Sequence, residues 1–277
     1  MRHVSFALSL LIAAATSGCA TAPTATVAAE PAMPVRPARV PGYLPKDALP
    51  DSGALSARPP AEGSAAQAHD DEISRRYLSL YGTARWNLAA QDAVLTFPQG
   101  AEVFSCALNA PVTPEATPVL YTLLRRSMND AGGSTVRAKA LYRRPRPFLV
   151  NGQPTCSPAN EDVLRNNGSY PSGHSAAGSA WSLILAEISP ERAEAILARG
   201  RFFAQSRLVC NVHWHSDTVE GMALGAAVVA RLHADPAFQA DLATARQELI
   251  AVRAKGLPVT RDCAAEAEAL SATPLVQ

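Results

Sequence analysis

Apolar side chains recur every three or four positions along most of the chain after Gly63, which is the spacing of one helix face. The first such segment opens with the acidic run Asp70-Asp71-Glu72 and continues through Ile73 and Tyr77 to Tyr81. The same spacing predicts further helices, which run over Thr83–Leu95, Pro114–Ala131, Thr135–Tyr142, His174–Ile188, Pro190–Leu208, Ser216–Ala234 and Pro236–Lys255. No stretch alternates apolar and polar residues with a period of two. The pattern therefore predicts an all-α protein with a single compact helical domain.

Two local signals refine this prediction. Proline follows a capping residue at three expected helix starts, Thr113-Pro114, Ser189-Pro190 and Asp235-Pro236, where its missing N–H has no helical partner to lose. The most apolar later stretch, Gly221–Ala230, is about half as long as a membrane-spanning helix. Its regularly spaced small residues predict close contact between helices in a core.

The composition agrees with a helical, weakly charged protein. Of the 277 residues, 48% are apolar and 6% aromatic, and the formal net charge is +1. This near-neutral balance offers no surface for a nucleic acid or for a polybasic contact with a membrane. Five of the Lys and Arg residues fall within residues 137–146, so any strongly basic site is local.

The start of the chain has the form of a secretory leader, because a basic opening precedes an apolar run of ~12 residues at positions 4–15. Two alternative processing sites follow the apolar run. Residues 17–19 resemble a bacterial lipobox with Thr16 in place of the usual large aliphatic residue, whereas residues 20–22 fit an ordinary signal peptidase. We favour the first, with a lipid on Cys19. The predicted location is the periplasm, with membrane contact only through that anchor.

Composition divides the chain into four parts. Residues 1–22 form the leader, residues 23–40 an Ala/Pro-rich tether, residues 41–257 the helical domain and residues 258–277 a C-terminal tail. In an exported chain, the four cysteines after Cys19 predict one or two disulfides, with four buried free thiols as the alternative. They show no CxxC spacing, so a zinc site is not expected.

The sharpest chemical signal is the spacing of His213 and Asp217. They are four residues apart, so at a helix start they share one face. The carboxylate can then fix the imidazole tautomer and raise the basicity of the other ring nitrogen, which makes His213 a candidate nucleophile and Asp217 its orienting partner. Taken alone, this spacing is more typical of an exposed ion pair. His215 would point to another helix face, and we interpret it as secondary.

A second segment, Pro171-Ser172-Gly173-His174, is a turn that leads into an apolar helix. Backbone amides at a helix N-terminus bind anions, so the Ser172 hydroxyl and the Gly173 amide are candidate phosphate ligands. His174 can then act as a general acid opposite the nucleophile. A plain helix-entry turn capped by serine is the simpler explanation of this segment by itself.

The third set of candidates is cationic. Lys139 and Arg146 lie seven residues apart, and Arg207 follows later in the chain. Guanidinium groups recognise phosphate through two donors at once, and lysine supplies a point charge, so three such cations suit a tetrahedral dianion. The alternative for the first two is a solvated basic loop, to which we assign Arg143 and Arg144.

Together the three segments match the patterns K-x6-R-P, P-S-G-H and S-R-x5-H-x3-D at every fixed position, and the chain thus resembles the type 2 phosphatidic acid phosphatase superfamily. Further stretches, including Asn167–Tyr170, Ala186–Pro190 and Leu232–Phe238, are similar to those of the secreted class A bacterial non-specific acid phosphatases. The likeness runs from about Tyr43 to Lys255. It outweighs the three simpler explanations taken together.

The resemblance implies a role for each matched residue. His213 is the nucleophile that forms a phosphohistidine, Asp217 is its partner and His174 is the acid. The phosphoryl group is bound by Lys139, Arg146, Ser172, Gly173 and Arg207. These residues occupy loops and helix starts, so the active site is expected at one end of a helix bundle.

The resemblance also implies small soluble phosphate monoesters as substrates, an acidic optimum, no metal and no cofactor. Relatives commonly associate, so a homo-oligomer is expected. Cys106 and Cys263 are additional to the family pattern and are expected to pair with each other, which leaves Cys156 to pair with Cys210.

Three alternatives stay open at this point. The same superfamily site holds vanadate in haloperoxidases, and the fixed residues do not distinguish the two reactions. A protein that binds phosphate without turnover is the second alternative, although it would need neither histidine. Lipid phosphatases of the superfamily are the third, but they carry several membrane spans. Departures from the class A pattern, at Asn211-Val212 and His215, affect substrate preference more than mechanism.

Overall fold

The computed structural model describes residues 40–273 together with Met1 and His3. Apart from Met1 and His3, the leader lies outside the described residues, as do Cys19 and the tether up to residue 39, so those predictions stay predictions. The described residues from 40 to 273 belong to one compact unit. Within its described part the regular structure is entirely helical, as the pattern predicts.

The α-helices, in chain order, are α1 (Ser52–Leu55), α2 (Ala65–Leu78), α3 (Ala84–Asp92), α4 (Ser105–Leu108), α5 (Pro118–Ser134), α6 (Val136–Tyr142), α7 (Pro147–Asn151), α8 (Glu161–Arg165), α9 (Gly173–Ile188), α10 (Ala193–Val209), α11 (His215–Leu232), α12 (Pro236–Ala254) and α13 (Cys263–Ser271). Short 3-10 turns occupy Lys46–Ala48, Gln99–Phe104, Pro158–Asn160 and Pro190–Arg192. Among the described residues, none of these helices combines the length and the apolar character that crossing a membrane requires.

Helix α9 is the centre of the bundle and packs against α5, α10 and α11, and α12 packs mainly against α5. Its Trp181 is fully buried against Phe104 and Phe203, and the indole N–H donates to the Leu124 carbonyl oxygen at 2.9 Å. That bond satisfies the one polar group of a large buried ring, which an apolar core requires.

Glycines let α11 lie directly against α9. A Cβ atom at Gly221 would overlap the Ser172 carbonyl oxygen, and one at Gly225 would overlap the Ala176 carbonyl oxygen. The close contact expected of the stretch Gly221–Ala230 is therefore confirmed. It also brings the first turn of α11 beside the first turn of α9, which sets two of the three chemical segments next to each other.

Two predicted helix starts are wrong. Helix α5 begins at Pro118 instead of Pro114, because Thr113 forms a separate turn in which its hydroxyl accepts from the Ala116 N–H and its carbonyl from the Thr117 N–H. The acidic run at Asp70 lies in the middle of a helix and not in its first turn. Helix α2 starts at Ala65, where Ser64 supplies the N-cap.

The C-terminal segment carries structure that its composition does not reveal. Residues 258–277, which we expected to form a tail, contain α13, and α13 packs on α3. Its first residue is joined to α4 by the Cys106–Cys263 disulfide, with a Cα–Cα distance of 5.4 Å. Cys156 and Cys210 form the second pair, at 4.6 Å between Cα atoms. Both pairings implied by the resemblance are present.

Candidate active site

The three chemical segments meet where several helix ends converge. Lys139 lies near the end of α6, Arg146 is the residue before α7 and Arg207 lies near the end of α10. Ser172 caps α9, and Asp217 lies in the first turn of α11. The Ser172 N–H donates to the Asp217 carbonyl oxygen at 2.9 Å, which ties the last two segments directly together.

His213 is held by Asp217 in one tautomer. Its Nδ1–H donates to Asp217 Oδ2 at 3.2 Å, and the same oxygen accepts from the Trp214 N–H at 2.9 Å. On the other side of the ring, Arg146 Nη1 lies 3.1 Å from His213 Nε2. A guanidinium can only donate, so Nε2 is the acceptor and carries the free electron pair.

The surroundings keep His213 neutral. Its side chain is buried, and burial together with the charges of Arg146, Lys139 and Arg207 holds the pKa of His213 well below its ordinary value. Burial raises the pKa of Asp217, and Arg144 and the Trp214 N–H oppose that rise. A neutral imidazole beside a carboxylate is the form in which histidine is a nucleophile.

Arg207 is the residue that most clearly requires an anion. It is buried, yet its Nε and Nη1 atoms have no hydrogen-bond acceptor among the described residues. Burial and the neighbouring charge of Arg146 lower the pKa of Arg207 to about 9. Buried donors without partners are costly, and a bound oxyanion would satisfy both at once.

Lys139 and Arg146 line the same space but are anchored by backbone carbonyls. Lys139 Nζ donates to the Gly168 oxygen at 2.8 Å and to the Ser169 oxygen at 3.3 Å. Arg146 donates to the carbonyl oxygens of Val212 and Asn167, at 2.9 and 3.0 Å. Burial and the nearby arginines lower the pKa of Lys139 to about 7. The charge of this lysine therefore changes near neutral pH.

Helix α9 contributes its N-terminus to the site. Ser172 Oγ accepts from the Ser175 N–H at 3.2 Å and from the Ser175 hydroxyl at 2.9 Å, so its own hydrogen remains to be donated. Gly173 is the first residue of the helix, where backbone amides face outward and the helix dipole is positive. This end of α9 can bind a phosphoryl oxygen.

His174 is held by a neutral partner. Its Nε2–H donates to the Ala93 carbonyl oxygen at 3.1 Å, and its ring stacks on Phe203 with 6.5 Å between ring centroids. A carbonyl can only accept, so Nε2 carries the proton and Nδ1 is the nitrogen left for proton transfer. Burial, with Arg207 as the next cause, holds the pKa of His174 well below its ordinary value.

The assignment of Arg144 to a solvated loop is wrong. Arg144 is 7% exposed, and its Nη1 donates to Asp217 Oδ1 at 2.7 Å, whereas the neighbouring Arg143 is exposed to solvent. Sequence reasoning also missed Asp70, which pairs with Arg144 at 2.7 Å. A signal for it existed, because Asp70 lies three positions before Ile73 on the face that α2 buries.

His215 does not compete for the carboxylate of Asp217. Its ring lies edge-on to the ring of His69, with 5.5 Å between centroids, so the secondary role expected for it agrees with its position. In residues 40–273, no group of three or more His, Cys, Asp or Glu side chains is arranged to hold a metal ion.

Comparison with known proteins gives a consistent match. Residues 117–239, which contain all eight matched site residues, match the PAP2 superfamily. The non-specific acid phosphatase of Salmonella typhimurium (strain LT2) is 41% identical over 192 residues, which cover 69% of this chain and 77% of that protein. The acid phosphatase of Zymomonas mobilis is 39% identical over 193 residues, 70% of this chain and 73% of that one. The non-specific acid phosphatase of Providencia stuartii is 40% identical over 207 residues, 74% of this chain and 84% of its own. The chain therefore belongs to the class A acid phosphatases of the PAP2 superfamily.

Proposed function

We propose that this acid phosphatase hydrolyses small soluble phosphate monoesters in two steps, through a phosphohistidine formed on His213. One observation carries the proposal. The Nε2 of His213 is unprotonated and accepts a hydrogen bond from Arg146, while the Nδ1–H donates to Asp217. A phosphorus atom bonded to Nε2 would have its oxygens next to the cations of the site.

In the first step, His213 Nε2 attacks the phosphorus as the bond to the ester oxygen breaks. Arg207, Lys139 and the start of α9 together stabilise the charge that develops on the non-bridging oxygens. The leaving oxygen takes a proton from Nδ1 of the protonated His174. Asp217 stabilises the positive charge that the phosphorylated His213 ring acquires.

In the second step, water attacks the phosphohistidine. His174 is now neutral, and its Nδ1 accepts a proton from that water. The phosphorus–nitrogen bond breaks, its electron pair returns to His213 Nε2, and inorganic phosphate leaves. Each histidine ends the cycle in the form in which it began.

The electrostatics favour an acidic working range. In the empty site, burial first and then the charges of Arg207 and Arg146 hold the pKa of His174 well below its ordinary value. A bound phosphate dianion offsets those cations and raises the pKa of His174, so the ring is charged once substrate is present. Low pH favours that protonation, and high pH removes the charge of Lys139.

The test is hydrolysis of 4-nitrophenyl phosphate with EDTA present, scanned over pH. We expect full activity with the chelator, a bell-shaped pH profile and inhibition by vanadate. Loss of activity on chelation would contradict the metal-free mechanism. Halide oxidation that depends on added vanadate and peroxide, without phosphatase activity, would favour a haloperoxidase instead. Faster hydrolysis of phosphatidic acid than of soluble esters would contradict the substrate class.

We further propose that the enzyme works in the periplasm, anchored by a lipid on Cys19, and that it forms homo-oligomers. The apolar run and lipobox-like residues at the start of the sequence support the first part. Labelling of cells with radioactive palmitate should mark the wild-type protein and not a Cys19→Ala variant. Light scattering of the purified protein tests the second part.

A further inference from the structure

Arg144 occupies an unusual place in this molecule, because it lies buried between two carboxylates from distant parts of the chain. Its Nη1 donates to Asp217 Oδ1 at 2.7 Å, and its Nη2 donates to Asp70 Oδ2 at 2.7 Å. The two carboxylates are almost fully buried as well, with Asp70 at 1% and Asp217 at 0% exposure. Buried charge-assisted bonds of this kind are strong and directional.

The Asp70 side of the arrangement fixes Arg144 in place. Asp70 also accepts from both donors of Ser216, the N–H at 2.8 Å and the hydroxyl at 2.5 Å. The Ser216 hydroxyl accepts in turn from Arg144 Nη1 at 2.7 Å, and Gln67 accepts from Nη2 at 2.7 Å. Every member of this cluster thus has defined partners, which leaves the guanidinium plane one orientation.

The contact with Arg144 also affects the charge and the orientation of the Asp217 carboxylate that holds His213. Asp217 divides its oxygens, with Oδ1 on Arg144 and Oδ2 on the His213 Nδ1–H and the Trp214 N–H. The other ionisable groups that face it are Lys139, Arg146 and Tyr170. Arg144 is the cation in direct contact with it, so the charge on Asp217 depends on that arginine most directly.

We propose that Arg144 and Asp70 are a positioning pair for the nucleophile: Arg144 keeps Asp217 ionised and turned towards His213, and Asp70 holds Arg144 in place. This inference rests on the proposed function, since it assumes that His213 attacks phosphorus. Neither residue touches the phosphoryl group in that scheme. Their removal should therefore alter turnover more than binding.

The charge and the geometry of Arg144 can be separated by three variants. Arg144→Gln removes the charge, so burial of Asp217 is no longer opposed by it and the acid limb of the kcat profile should move to higher pH. We expect kcat to fall roughly 10- to 100-fold, by analogy with residues that orient metal-ligating histidines, with KM changed less than about threefold. Arg144→Lys restores the charge, so the acid limb should return to its wild-type position although kcat recovers only in part.

Asp70→Asn keeps the charge on Arg144 and weakens its anchor. This variant should lower kcat by about 2- to 10-fold and leave the acid limb where it is. Arg143→Gln is the matched control, because it removes an adjacent arginine that is more exposed and contacts neither carboxylate. It should leave kcat, KM and the pH profile unchanged.

The outcomes distinguish a failure of this inference from a failure of the proposed function. If Arg144→Gln loses turnover with an unmoved acid limb, Arg144 is only structural and the inference fails. It fails equally if kcat is unchanged in that variant. If Arg144→Gln does not fold, unchanged kcat in both Arg144→Lys and Asp70→Asn overturns it instead. An active His213→Ala enzyme would reject the proposed function itself, whatever the Arg144 variants do.

Discussion

The two histidines of the site differ in the group that accepts a hydrogen bond from their protonated ring nitrogen. His213 donates from Nδ1 to the carboxylate of Asp217, whereas His174 donates from Nε2 to the carbonyl of Ala93. A carboxylate fixes the tautomer and also stabilises positive charge on the ring. A carbonyl fixes the tautomer and adds no full charge. The first arrangement suits a ring that becomes phosphorylated, and the second suits one that gains and loses a proton in each cycle.

Their surroundings reinforce the difference. His213 is 4% exposed, and burial together with the charges of three cations lowers its pKa. His174 is less buried and stacks on Phe203, beside Arg207. These surroundings agree with the proposed roles, in which His213 attacks the phosphorus and the more exposed His174 exchanges protons with the leaving group and water.

Asp217→Asn should give the largest effect, because it makes the partner of His213 neutral, as the partner of His174 is. The amide can also donate to Nδ1, which favours the tautomer without a free electron pair on Nε2. We expect kcat to fall about 10^4-fold, the cost of the analogous change in Ser-His-Asp enzymes. Steady-state kinetics on 4-nitrophenyl phosphate measures this fall in kcat. A fall of less than about tenfold would mean that the carboxylate partner does not give His213 a role different from that of His174.

His174→Ala should give the next largest effect, and the size should depend on the leaving group. Without a general acid, an alkyl phosphate must lose a strongly basic alkoxide, so we expect its kcat to fall about 10^3-fold. 4-Nitrophenolate leaves without help, so formation of the phosphoenzyme from that ester should slow much less. Equal losses for both esters would mean that His174 does not protonate the leaving group.

Lys139→Arg tests the electrostatic background that both histidines share. The pKa of Lys139 is about 7, so below pH 7 this lysine carries the charge that the proposed phosphate binding needs, and above pH 7 it becomes neutral. The wild-type KM should therefore rise by up to about tenfold per pH unit above 7, where the substrate is already a dianion. An arginine at this position stays charged over the same range, so the KM of the variant should be flat from pH 7 to 8, below the pKa of about 9 of Arg207. A parallel rise in both enzymes would mean that another group sets this limb.

The Cys106→Ser/Cys263→Ser double variant should give the smallest kinetic effect, and only on the proton transfers assigned to His174. Helix α13 is connected to His174 by buried ion pairs. Glu266 pairs with Arg199, and Arg199 pairs with Asp92, the residue before the Ala93 that holds His174. Removing the disulfide should lower the free energy of unfolding by about 3–5 kcal/mol. It should lower kcat on an alkyl phosphate by about two- to threefold, with phosphoenzyme formation from 4-nitrophenyl phosphate unchanged. Denaturant melts and stopped-flow kinetics measure the two quantities.

Much of the site could be predicted from the sequence because its reactive residues lie within short motifs. Proline, glycine and capping residues define the local backbone, so the spacing of His213 and Asp217 is enough to predict the contact between their side chains. The bundle followed from helical periodicity in the same way. These predictions depend on residues that are close together in the chain.

The remaining features depend on contacts between distant residues, which spacing does not report. Arg143 and Arg144 are adjacent, and only the partner Asp70, 74 positions away from Arg144, decides which of them is buried. Helix α13 has the composition of a tail, and it is held by a disulfide that spans 157 positions. Tertiary partners override local propensity in both cases.

The central claim is a covalent phosphate on His213 Nε2, and a rapid-quench experiment tests it most directly. The enzyme is mixed with a 32P-labelled monoester, quenched in alkali within milliseconds and digested, and the labelled peptide is mapped. We predict an alkali-stable, acid-labile phosphate on the peptide that contains His213, its absence in His213→Ala, and its accumulation in His174→Ala with a 4-nitrophenyl ester. Turnover by wild-type enzyme with no labelled histidine, or a label on another residue, would contradict the account.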